Sequence, residues 1–347
     1  MRHYLTLSLL LVALVTVKPA FAAEEAEKAR MVCDRTNTYP SKLLAQSREG
    51  WVDLRFTMKA DGSLSDIEVV NVFGDPAFGK AAQEALASCR YEQPEQIAPK
   101  GTEVNNLRKR YFFAEEPFDK GSTRKVHEQL DEAYKRLKNG DITGSENILA
   151  QAEKDSKYIY EYNHLIILRA ELASARNDDG LALLYINSVA RNRNQIKPRE
   201  YDQLLRLMLK LEIKEGRFVS AERIVQEITQ GEPLEVDKTL LAQFAALKDV
   251  VTAGQPLSID GQIPLNCHPA FCEPGKTNWF YTPYNRTVSL ADIQGELSKV
   301  LFRCDRKTMI FEAQAGITWT IPKSWGQCTV YVLGNPGTRF KLIDETL

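Results

Sequence analysis

Past its first twenty residues the sequence lacks any apolar run of the roughly 20 residues a membrane-spanning helix needs. Histidine is scarce: of the four, His3 sits at the start, and His127, His164 and His268 fall in three separate regions. There is no nucleophile elbow, no zinc-protease helix and no phosphate-binding loop. No pair of carboxylates stands out from a solvated helix face. The expectation is therefore a protein that is not an enzyme, with no catalytic residue, no cofactor and no metal. An excess of charge is missing as well, with 45 basic against 46 acidic residues. That balance gives no reason to expect nucleic acid or an anionic membrane as partner. Cysteine is absent from the whole middle of the chain. Cys33 and Cys89 lie near the start, and Cys267, Cys272, Cys304 and Cys328 toward the end.

What is present begins with an export signal. Arg2 precedes the apolar run Tyr4 to Val17, Pro19 breaks it, and Ala20-Phe21-Ala22 offers small residues where a signal peptidase reads. This predicts a signal peptide over 1–22, cut between Ala22 and Ala23, and hence the periplasm. Retention as a membrane anchor is the alternative, for which the run is short. Export to an oxidising compartment makes the even number of cysteines a disulfide framework.

Residues 23–117 read as a small β-β-α-β unit. Val52, Leu54, Phe56 and Met58 alternate with Asp53, Arg55 and Thr57, which predicts a strand with one buried face. Asp61-Gly62 marks a hairpin turn, and Ile67 and Val69 continue a second strand. Asp75 reads as a helix cap with Pro76 at the first helical position. Phe78, Ala81, Ala82, Ala85 and Leu86 then recur at helical spacing, and Val104 to Phe113 forms a third strand. Cys33 and Cys89 bracket the unit. A bridge between them would close a loop of roughly 57 residues and stabilise by about 4 kcal/mol.

Tyr39-Pro40, Arg48-Glu49-Gly50 leading into the first strand, Asp61-Gly62, Phe78, Ala85 and Tyr91 together resemble the TonB C-terminal domain, over about residues 30 to 114. The resemblance implies a domain that binds peptides along the edge of its last strand, here Val104–Phe113. It would place Asn106, Arg108, Arg110 and Phe112 on the partner-binding edge. It also implies an outer-membrane transporter or another component of the TonB system as partner. The chain departs from TonB in lacking a proline-rich spacer and a histidine within the apolar run, which argues against energy transduction by the TonB mechanism. The basic residues of the last strand have two readings. They attract an acidic partner, or they keep an edge strand from aggregating.

Residues 118–254 change to amphipathic helices. Gly140, Ile142, Ser145, Leu149 and Ala152 recur in type as Gly216, Phe218, Ala221, Val225 and Ile228, with Ala182, Ile186 and Val189 between them. The period of about 38 residues resembles tetratricopeptide repeats and predicts three helical hairpins and a final helix near Val236–Val251. Such repeats stack into a groove that holds a second protein, or serve as a spacer. Tyr158, Tyr160, Tyr162 and His164 either line that groove or pack between repeats.

Residues 255–347 predict a β-rich, disulfide-containing domain. Strand-like runs cover Thr308–Glu312, Ile317–Ile321, Cys328–Leu333 and Phe340–Ile343, with one helix expected over Leu290 to Leu301. Of the three pairings of its four cysteines, Cys267–Cys272 with Cys304–Cys328 is the most local. A zinc site at Cys267, His268 and Cys272 competes, against the oxidising compartment. Trp279, Trp319 and Trp325 either bind cell-wall glycan or form a core.

The fold class is thus α+β in three parts. The expected function is that of a periplasmic adaptor, binding envelope proteins by edge-strand addition and by the helical groove and accessory to TonB-dependent transport. A peptidoglycan-binding protein acting through the last domain is the alternative. The sequence leaves the oligomeric state open.

Overall fold

A computed structural model describes residues 30–34, 39–114, 121–229, 235–265, 267 and 278–346. The signal-peptide site at Ala22 and Ala23, together with His268 and Cys272, lies outside the described residues. Among those described, no helix is long and apolar enough to cross a membrane.

The first part holds β1 (Met31–Cys33), α1 (Ser41–Ala45), β2 (Gly50–Met58), β3 (Leu64–Phe73), α2 (Ala77–Ala87), β4 (Cys89–Tyr91) and β5 (Val104–Phe113). β2 is the centre of a three-stranded antiparallel sheet in the order β3-β2-β5. α2 covers one face, and its start is held by the Asp75 carboxylate, which accepts from Ala77 N at 2.9 Å. Val52, Leu54 and Phe56 pack there with Phe78, Ala82, Leu86 and Phe113. Gly50 permits this packing, because a Cβ in its place would stand 2.4 Å from the Phe73 carbonyl and 2.6 Å from the Phe78 ring. β1 and β4, which the sequence pattern is too short to announce, pair with each other at the Cys33–Cys89 disulfide.

The second part is helical: α3 (Arg124–Lys138), α4 (Ile142–Asp155), α5 (Ile159–Ala175), α6 (Asp179–Ala190), α7 (Pro198–Lys214), α8 (Phe218–Ile228) and α9 (Glu235–Thr252). α3 packs on α4, α5 on α6 and α7 on α8, and α9 lies on the last pair. The three hairpin turns repeat one hydrogen-bond pattern. Gly140, Asn177 and Gly216 take positive φ of 79°, 58° and 65°. The next residue donates back to the carbonyl five positions earlier each time: Asp141 to Arg136, Asp178 to Ala173 and Arg217 to Glu212. This is the helix ending that glycine or asparagine permits. A small residue, Ser145, Ala182 or Ala221, is fully buried at the same offset after each turn.

The third part is a sandwich of two four-stranded sheets. One has the order β10-β9-β12-β7 and the other β11-β8-β13-β6. The strands are β6 (Leu257–Gln262), β7 (Asn278–Tyr281), β8 (Thr287–Gln294), β9 (Leu297–Cys304), β10 (Thr308–Glu312), β11 (Thr318–Thr320), β12 (Cys328–Gly334) and β13 (Arg339–Glu345). The helix expected over Leu290–Leu301 is instead the hairpin β8–β9. Val288 and Leu290, then Val300 and Phe302, alternate inward at period two, and Gly295 turns the chain at φ 113°. Phe302 meets Trp319, and Trp279 meets Phe340, across the sandwich. Cys304 and Cys328 are bonded to each other. Cys267 is disulfide-bonded too.

The expectation of one buried face for β2 needs correction. All nine of its residues are buried. Trp51 and Phe73 belong to the continuous core of the helical and sandwich parts, on the side of the sheet away from α2.

Candidate functional site

The second face of the N-terminal sheet carries Trp51, Asp53, Arg55 and Thr57 of β2. An isolated domain would leave such a row in water. Here it meets the helices. Trp51 stacks on Phe73, and Phe73 meets the Tyr162 ring edge-on at 4.6 Å. Glu49 joins the same contact: its carboxylate accepts from Ile159 N at 3.0 Å, at the start of α5. A carboxylate at a helix N-terminus satisfies an orphan amide and opposes the positive end of the dipole. Glu49 N also donates to the Lys157 carbonyl at 2.7 Å.

β5 runs beside this contact, and the structure separates the four residues expected on its edge. Asn106 sits at a bulge with φ 63°. Its amide donates to the Cys304 carbonyl at 2.9 Å and to Thr308 Oγ1 at 3.2 Å. Beside it, Asn105 N donates to the Asp305 carbonyl at 3.1 Å, so the sandwich closes the beginning of the strand. Arg110 turns inward. It donates to both Asp53 oxygens, at 2.7 and 2.6 Å, and to the Ser188 carbonyl at 2.6 Å, and it bonds Asn192. Its guanidinium lies 3.8 Å from the Trp51 ring centroid, a cation–π contact. Phe112 packs, half-buried, against the helical core. Arg108 alone of the four remains exposed, with one hydrogen bond among the described residues, to the Tyr331 hydroxyl of β12 at 3.1 Å.

Burial would raise the Asp53 carboxyl, but the hydrogen bonds and charge of Arg110, helped by Arg191 and Arg108, outweigh it and hold the pKa below its ordinary value. Arg191, at the end of α6, approaches Asp53 to 3.6 Å. Sequence reasoning missed Arg191, Asn192 and Tyr331, because nothing local in the helices or in β12 signals that they meet β5. The polar alternation of β2 was the available signal: Asp53 stands directly opposite Arg110 across the ladder.

From Leu107 to Tyr111 β5 remains an edge of its sheet, with no further strand beside it among the described residues. An antiparallel edge leaves every second N–H and C=O pointing outward. The strand is thus closed at its start, braced from one face, and open along its second half.

The other candidates resolve differently. Of the three tryptophans of the sandwich, Trp279 and Trp319 are buried and Trp325 is half-buried. Tyr162 packs inward toward the N-terminal sheet, whereas Tyr160 and His164 lie against each other, half-buried, with Lys197 Nζ 5.2 Å from the Tyr160 ring. Among the described residues no three His, Cys, Asp or Glu side chains are placed to hold a metal ion.

Compared with known families, residues 35–106 match the model described as Gram-negative bacterial TonB protein C-terminal. No curated protein matches the chain. The chain therefore carries a TonB-like domain, a domain of cell-envelope proteins, at the head of a helical region and a β-sandwich.

Proposed function

We propose that the protein is a periplasmic adaptor that binds an extended segment of another envelope protein along the open half of β5. It is a binding protein in this reading and has no catalytic role. The observation that carries it is the edge from Leu107 to Tyr111, beside which no strand pairs among the described residues, on a domain of the TonB type. An exposed edge offers backbone groups to an incoming strand, and alternate side chains supply specificity. The helical hairpins, which we read as tetratricopeptide-like repeats, join the edge to the sandwich and hold it at a fixed angle. Their remaining faces offer a second protein a surface. A component of TonB-dependent outer-membrane transport is the partner this reading favours.

In-cell photo-crosslinking tests it. A photoreactive residue at Lys109 is expected to capture a TonB-dependent transporter or a motor subunit, and one at Asn106, whose side chain faces the sandwich, only the protein itself. Capture of neither kind of partner at Lys109 would overturn the transport reading.

A further inference from the structure

The junction of the three parts concentrates positive charge that it does not neutralise. Arg108 of β5, Arg110 of β5 and Arg191 of α6 surround one carboxylate, Asp53. Both Asp53 oxygens are taken by Arg110. Arg108 keeps only the Tyr331 hydroxyl, and Arg191 has no hydrogen bond among the described residues. Arg303 lies over the Tyr331 ring, its guanidinium 5.4 Å from the centroid, and its Nε is buried without a hydrogen-bond partner among the described residues. A guanidinium offers five donors, so most of the donors of Arg108 and Arg191 are unspent.

We propose that Arg108 and Arg191, set together beside Tyr331, form a carboxylate-binding site for an acidic side chain of the peptide that lies along β5. Each part of the chain contributes one of the three groups, so the site exists only when the N-terminal domain is docked. The location favours a peptide over a free anion: Arg108 stands within the open stretch Leu107–Tyr111, where an added strand would pass. Paired guanidiniums recognise carboxylates through charge-assisted hydrogen bonds. Two observations agree with this role. The Arg191 side chain is still 42% exposed. Its pKa is nonetheless pushed down to about 10, by the crevice that surrounds it and then by the charge of Arg108. An arriving carboxylate would relieve that repulsion.

The inference rests on the reading of β5 as a peptide-binding edge, and its test can fail separately. Titration calorimetry of the full chain at low salt would use acetylated tetraglutamate amide, the tetraglutamine analogue and inorganic phosphate. Tetraglutamate is expected to bind, and Arg108→Gln and Arg191→Gln are each expected to weaken it by about tenfold. Tyr331→Phe, which removes one hydroxyl from the surface of a folded sheet, is expected to weaken it less. Lys80→Gln, on the far side of the sheet on α2, removes the same charge and should leave the affinity unchanged. Equal affinity of wild type and both arginine variants would overturn the site, as would absence of any binding. Phosphate binding as tightly as the peptide would overturn the peptide assignment. Tetraglutamate binding lost in the variants, with no partner captured at Lys109 in cells, would retain the site and remove the transport reading.

Discussion

The two faces of β2, the central strand of the N-terminal sheet, are both buried and chemically opposite. Toward α2 stand Val52, Leu54 and Phe56, an apolar face that belongs to the small domain itself. Toward the helices stand Trp51, Asp53, Arg55 and Thr57, each 9% exposed or less. The first face gains from hydrophobic burial alone. The second is stable only because each charge finds a partner: Arg55 pairs with Glu68 and Asp53 with Arg110. A polar face sealed by neighbouring parts marks a domain that is held in one orientation.

The comparison can be broken from either face. Phe56→Ala leaves a cavity in the domain's own core and should cost about 3–5 kcal/mol. Chemical denaturation would read this as loss of the N-terminal part. Trp51→Ala should cost about 3 kcal/mol but act differently. It removes the docking contact, so one cooperative unfolding transition should split into two. A single transition for Trp51→Ala would show that the second face is not an interface.

Asp53→Asn should cost about 3 kcal/mol, because it leaves Arg110 buried without its counter-charge. It should also alter the acid limb of the stability curve. The Asp53 carboxyl titrates below its ordinary value when folded. Its contribution is therefore present above the unfolded pKa of about 3.9 and is lost as pH falls through the folded value. Thermal unfolding between pH 6 and about pH 2 should show the wild type losing more than Asp53→Asn. Parallel curves would contradict that pairing. Smallest is Glu49→Gln, at about 1 kcal/mol, since the amide oxygen still accepts from Ile159 but without the charge.

Elements with a strong period were legible in the sequence. The third strand was placed at Val104–Phe113, at its observed ends, and the final helix within a residue or so of its ends. The Leu290–Leu301 segment was misread because apolar residues at 290, 293, 297 and 301 fit helical spacing, whereas the strands bury 288 and 290, then 300 and 302. The strands β1 and β4 are three residues each and carry no period. The site was half legible. The edge and its arginines could be named, but the alternation that marks one face of β2 as polar reads as solvent exposure when the covering helices are distant in sequence. Asp53 and Arg110 share one ladder, but Asn192, Arg191 and Tyr331 reach them and Arg108 only by the way three parts dock.

Hydrogen exchange resolved at single amides along β5, in the purified full-length chain, tests the central claim most directly. Slow exchange is expected at Asn105, whose N–H is bonded to Asp305, and fast exchange at alternate amides from Leu107 to Tyr111. Protection along the whole strand would mean the edge is covered within the protein. Fast exchange at Asn105 as well would mean the sandwich does not hold the domain.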